Sequence, residues 1–182
     1  AAGAGTGTGE SDVREEKMER LLILRRVPLF AQMTLEQLDA INRLVKEVKY
    51  LAGETIIREG DVGSELFLLV EGEVQIFKNW GAPQQILLAT CRGIDYFGEM
   101  AILDDEPRSA TVAVTRDARL LSLQGDRLKE LVLQMPEIAF KIFRVLTQRV
   151  RAGDQRLQKM MQPPPDAASE GPEPTGCSRS VS

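Results

Sequence analysis

FGEMAILDDEPRSATV, residues 97–112, decides how the rest of this chain is read. Gly98, Glu99 and Ala101 stand at the start of a short helical turn, and Arg108 follows nine positions after the acid, between Pro107 and Ser109. A glycine lets the backbone approach a ligand closely, and free N–H groups at a helix start attract an anion. A guanidinium fork grips two phosphate oxygens, while a carboxylate accepts from a sugar hydroxyl. The stretch therefore reads as a clamp for a small phosphate ester carrying a ribose. Any one of these residues alone would read as a surface ion pair or a turn; the meaning lies in their joint spacing.

Working outward, AGETIIREGDVGSELFLLVEGEVQIF (52–77) breaks short apolar runs with turn residues, and VPLFAQMTLEQLDAI (27–41) precedes it. With these flanks the clamp resembles the phosphate-binding cassette of cyclic nucleotide-binding domains, whose pattern is F-G-E-[LM]-A-[LI], a short loop, then P-R-[SAT]-A-T-V. The resemblance runs from about residue 27 to about 150. It implies a 3′,5′-cyclic nucleotide, cAMP with cGMP as the alternative, held between cassette and sheet. Carried over by position, Glu99 accepts from the ribose 2′-hydroxyl and Arg108 pairs with the equatorial phosphate oxygens. The N–H groups of Ala101 and Ser109 cap the same anion, and Gly98 lets the backbone lie against the sugar. Phe97, Met100 and Ala110 complete the implied ligand-binding set. The resemblance implies no catalytic residue, no metal and no cofactor beyond the ligand.

Two positions depart from or qualify that pattern. Asp105 stands where the family often has glycine; Asp tolerates left-handed backbone better than most residues, so the loop is expected to form with its charges toward water. Ser109 offers a hydroxyl where domains that prefer cAMP often carry Ala, which leaves the base preference open. The base needs a cover, and the resemblance places it on the C-terminal helix, about 136–157, with a hinge near Met135-Pro136. Arg149 and Arg151 are candidates to stack on the base, although a solvated helix face is the simpler reading.

Composition bounds the alternatives. At 182 residues, 43% hydrophobic and 27% charged, the chain suits one soluble domain with tails. A net charge of -4 argues against a general nucleic-acid binder. With no histidine there is neither the usual metal ligand nor the usual neutral-pH base, which disfavours an enzyme on a metal-binding jelly roll. Two cysteines make no disulfide framework. No apolar run reaches the roughly 20 residues a spanning helix needs, so a cytoplasmic setting is expected, free or as the cytosolic part of a membrane protein.

The periodicity divides the chain. Residues 1–10 read as a flexible linker and residues 11–161 as the ligand-binding domain. A helix is expected over 11–26, ended by Pro28; Thr34-Leu35-Glu36-Gln37 has the form of a capping box opening a second helix. From 47 to 124 a barrel is expected, with strands at 48–51, 55–58, 65–70, 73–78, 85–90, 110–115 and 119–123. Glu71-Gly72 is read as a turn between two of them. Helices return over about 126–161, and residues 162–182, rich in Pro, Gly and Ser, read as a disordered tail. The fold class is thus mainly β with flanking helices: an antiparallel β jelly roll (double-stranded β-helix) with N-terminal helices and C-terminal lid helices. The expected function is a non-catalytic sensor acting on an attached or partner effector, a membrane protein among the options, with a homodimer through the C-terminal helix as a further expectation. The alternative is a scaffold of the same fold that binds no nucleotide.

Overall fold

A computed structural model of the chain describes residues 8–103 and 105–161. The expected tail at 162–182, and residues 1–7 of the expected linker, lie outside the described residues. The chain divides into two compact units, residues 1–146 and residues 147–182; of the second, the described part is the end of one helix.

Helix α1 spans Thr8–Arg26, so Thr8–Glu10 are helical rather than linker, and the helix starts three residues before the expected Ser11. Its buried residues are Ile23 and Leu24, whereas Met18 and Leu22 remain exposed. Pro28 ends it as expected and opens a 3-10 turn, Pro28–Phe30, whose Leu29 and Phe30 are buried. Helix α2, Leu35–Asn42, carries the expected capping box. The Gln37 N–H donates to Thr34 Oγ1 at 3.3 Å, and the Thr34 N–H donates to Gln37 Oε1 at 3.1 Å. Two of the four orphan N–H groups of the helix start are thereby satisfied reciprocally.

Six antiparallel strands follow: β1 Lys46–Tyr50, β2 Thr55–Ile57, β3 Glu65–Lys78, β4 Ile86–Arg92, β5 Asp95–Phe97 and β6 Thr111–Gln124. The pairing order is β1-β6-β3-β4, with β2 on β6 and β5 on β3. Two expectations needed correction. The strands expected at 65–70 and 73–78 are one continuous β3, and those expected at 110–115 and 119–123 are one β6. Glu71-Gly72 is a bulge rather than a turn: the β3–β6 register shifts on both sides of Glu71, and Gly72 has φ +99°. A long strand bends there instead of reversing. The short β5 was not anticipated.

The strand period of two assigns the β3 side chains to two cores. Leu66, Leu68 and Val70 pack in a cluster with α1, α2 and the later helices, while Phe67, Leu69 and, beyond the register shifts at 69–74 that reverse the alternation, Val74 pack with Ile57, Phe97, Val112 and Leu120. Strand β6 is divided in the same way, with Leu121 and Leu123 in the first cluster and Val112, Val114, Ala118 and Leu120 in the second. Burial on both faces explains the unbroken Leu66-Phe67-Leu68-Leu69 run, which alternation alone would have left half polar. After β6, α4 spans Gly125–Gln134 and α5 spans Glu137–Met161, separated by Met135-Pro136.

Candidate functional site

The cassette bridges β5 and β6. Phe97 ends β5, Gly98 follows with φ +85°, and α3 occupies Met100–Leu103. Only a residue without a Cβ fits at Gly98: one built there would lie 2.8 Å from Arg108 Nη1, 2.8 Å from the Glu65 carbonyl oxygen and 3.3 Å from Ile57 Cδ1. Asp105 takes φ +55°, the left-handed conformation expected of the residue in the glycine position. Its carboxylate turns to Lys129 of α4, with Nζ 2.6 Å from Oδ1. The acidic loop thus spends this charge on α4.

Arg108 is 7% exposed, the one buried charged side chain among the described residues. One nitrogen, Nη1, donates to the carbonyls of Glu65 (2.9 Å) and Gly98 (3.1 Å). Nε and Nη2 both lie 3.3 Å from the position a Cβ on Gly63 would take. Burial pulls the guanidinium below its usual range and the Glu65 charge pulls it back; at neutral pH it stays protonated. The backbone at this point is fixed as firmly as the side chain. The Arg108 N–H donates to Asp61 O and the Gly60 N–H donates to Arg108 O, each at 2.9 Å.

The other expected site residues fall into three groups. Glu99 is half-buried beside Gly98, and Ala101 lies within α3. Met100 and Ser109 are exposed on the two sides of the loop and touch, with Ser109 Oγ donating to Met100 Sδ at 3.8 Å, and Ala110 is half-buried just before β6. Phe97 is different: it is 2% exposed and stacked on Phe67 with ring centroids 5.6 Å apart. Its side chain belongs to the core and serves to place Gly98. Arg149 and Arg151 are on exposed turns of α5 beyond Leu146.

Gly63 and Glu65, which form the other side of the Arg108 cradle, were not singled out from the sequence. A signal was present. Gly63 stands in the Gly60-Asp61-Val62-Gly63 turn; its φ is not positive, and a Cβ there would meet Arg108 Nε and Nη2 at 3.3 Å, a tight contact to which the guanidinium would have to yield.

Among the described residues, one arginine is buried, and it is held on backbone carbonyls behind the Gly98-Glu99 turn, the arrangement of a phosphate-binding cassette on a jelly roll. Residues 47–135 match the sequence profile described as "Cyclic nucleotide-binding domain", and the chain carries a domain of the cyclic nucleotide-binding family. It is similar to a cyclic AMP receptor protein of Thermus thermophilus, 31% identical over 130 residues, which cover 71% of this chain and 60% of that one. A cAMP-dependent protein kinase regulatory subunit of Aspergillus niger is 37% identical over 115 residues, 63% of this chain and 27% of its own length. Among solved structures, the Thermus thermophilus catabolite activator protein superposes with a TM-score of 0.65 at 30% identity, covering 73% of this chain and 62% of that one. The chain therefore spans about three fifths of its bacterial relatives and a much smaller part of the kinase subunits. None of the helices among the described residues is long and apolar enough to cross a membrane.

Proposed function

We propose that this chain is a cyclic nucleotide sensor module, binding cAMP or cGMP at the 97–110 cassette without chemical change to the ligand. The observation that carries this reading is the state of Arg108, a buried cation whose Nη1 is held on the carbonyls of Glu65 and Gly98 inside the cassette. Holding an isolated charge out of water is costly, and an anion recovers that cost. Arg108 pairs with the equatorial phosphate oxygens, Glu99 accepts from the ribose 2′-hydroxyl, and Gly98 admits the sugar. The backbone at Ala101, Ser109 and Ala110 faces the anion, and Met100 flanks it. The names of the relatives, a cyclic AMP receptor and a cAMP-dependent kinase subunit, support the same ligand class.

Occupancy would reach the helices through two contacts made by the cassette. Asp105 is paired with Lys129 of α4. Ile102 and Leu103 of α3 line one apolar cleft of about 310 Å³ together with Leu128 and Val132 of α4 and Ile142 and Phe143 of α5. A ligand that settles the cassette shifts the helices only as far as it binds one of their arrangements better than another. The effector that reads this shift is an attached domain or a partner protein.

Thermal denaturation with cAMP, cGMP and AMP tests the reading. Ligand at about 1,000 times its dissociation constant adds roughly 4 kcal/mol of stability. A rise in midpoint with a cyclic nucleotide and none with AMP is the expected result. No rise with either cyclic nucleotide would make the module a scaffold.

A further inference from the structure

The strand end of β3 carries a second cation bonded to the cassette. Lys78, the last residue of β3, donates from Nζ to the Ser109 carbonyl at 2.9 Å and is paired with Glu59 Oε1 at 2.7 Å. Glu59 is itself fixed. Its Oε2 accepts the Asn79 N–H at 2.8 Å, and its own N–H donates to Thr111 Oγ1 at 3.0 Å. Asn79, immediately after the lysine, is in the left-handed region at φ +54°. Lys78 and Asn79 together hold the Glu59 carboxyl below its ordinary range, so it carries full charge at neutral pH.

The arrangement acts on one peptide plane. The amide is planar and trans, so the Ser109 C=O and the Ala110 N–H point in opposite directions. Binding the carbonyl to Lys78 therefore aims the Ala110 N–H to the other side of the chain, directly after the arginine. Two further bonds, Gly60 N–H to Arg108 O and Arg108 N–H to Asp61 O, stop the preceding peptide from turning to compensate. An exposed lysine–carboxylate pair alone contributes little to stability, and Lys78 is 44% exposed. A structural role does not explain a lysine shared between a carboxylate and a cassette carbonyl.

We propose that Lys78, held by Glu59, is a positioning residue for the anion site: it sets the direction of the Ser109–Ala110 peptide so that the Ala110 N–H is ready to donate to the ligand phosphate. The proposal rests on the sensor reading above.

The test is a titration of full-length protein with cAMP and cGMP by calorimetry, for wild type, Lys78→Met, Lys78→Arg and Glu59→Gln. Losing one charge-assisted contact to the cassette should weaken Lys78→Met by about five- to twenty-fold. Lys78→Arg should recover most of the affinity, because it keeps a charged donor at that reach. Glu59→Gln should fall between wild type and Lys78→Met. The unliganded melting midpoints should differ little among the four. In amide NMR spectra, the Ala110 N–H should move strongly downfield on ligand addition in wild type and in Lys78→Arg, and weakly in Lys78→Met. If wild type binds and Lys78→Met binds equally well with the same Ala110 shift, the positioning role is overturned while the sensor reading stands. If wild type binds neither nucleotide, the sensor reading falls and the positioning role falls with it.

Discussion

Arg108 donates to the carbonyl of Gly98, ten residues before it, so the two ends of the cassette close directly on each other. The glycine proposed to admit the ligand and the arginine proposed to supply the charge are therefore one unit. A methyl group at 98 would lie 2.8 Å from the Arg108 nitrogen that makes this bond. Gly98→Ala should cost about 1–3 kcal/mol through its positive φ and should also displace the guanidinium. The expected result by calorimetry is a loss of cyclic nucleotide affinity larger than the loss of stability measured by urea unfolding. Equal losses would show a purely structural glycine.

Arg108→Ala should lower affinity by about 30- to several thousand-fold, on the order of 2–5 kcal/mol. Arg108→Lys keeps the charge but loses the planar fork that serves two carbonyls and an anion together, so it should recover only part. An unchanged titration curve for Arg108→Ala would remove the site.

Position 72 separates fold from site. A Cβ there would overlap the Asp117 carbonyl oxygen and lie 2.6 Å from Ala118 Cα, both backbone atoms of the paired strand. Gly72→Ala should therefore destabilise the protein by about 2–4 kcal/mol, from backbone strain and overpacking. Ligand affinity of the folded fraction should stay at the wild-type value. A urea midpoint unchanged from wild type would show that the bulge relaxes freely.

How much of this was legible beforehand follows from individual residues. The cassette was legible because glycine, acid and arginine are rare in that combination, and the capping box because Thr34 and Gln37 need nothing beyond each other. The Glu71-Gly72 bulge was not, since a glycine in an apolar run looks the same whether the chain reverses or bends. What decides is the approach of Asp117 from forty-five residues away, which local sequence does not carry. Gly63 and Lys78 escaped for the same reason: each acts on residues 108 and 109 only after the sheet has formed.

Gln37 links the N-terminal helices to α5. It is 3% exposed, its Nε2 donates to Glu137 Oε1 at 3.1 Å, and its Oε1 also accepts from Lys141 Nζ at 2.7 Å. Gln37→Ala removes its side chain's half of the capping box and both cross-links, and should cost about 1–3 kcal/mol. Faster hydrogen exchange should appear in α2 and in the first turns of α5 together. A loss confined to α2 would mean that the cross-links contribute nothing.

The pH response should be flat where many sensors titrate. With no histidine, no side chain of ordinary pKa changes charge between about pH 6 and 8. Glu59 and Glu73 lie below their ordinary value of 4.5, through Lys78 and Asn79 in one case and Arg92 and Thr115 in the other. Asp39 lies below 3.8 through Lys17 and Arg43. Depressed carboxylates stabilise the fold fully above their unfolded values and lose that contribution as pH falls through the folded ones. Melting midpoint and affinity should therefore hold constant from about pH 6 to 8, with stability declining below pH 4.5. A midpoint that moves between pH 6 and 8 would contradict this.

Strand β3 alternates its side chains between two cores, Leu66, Leu68 and Val70 on one face and Phe67 and Leu69 on the other, with Val74 joining the second core past the bulge. No part of that strand can melt for one core and remain for the other, so residues 1–146 should unfold in a single cooperative step. A nucleotide bound beside Phe97 would then slow amide exchange in helices it never touches, simply by making the shared opening rarer. Protection reaching the N-terminal helices would in that case report linkage through the common unfolding equilibrium, and would not by itself be a sign of signal transmission.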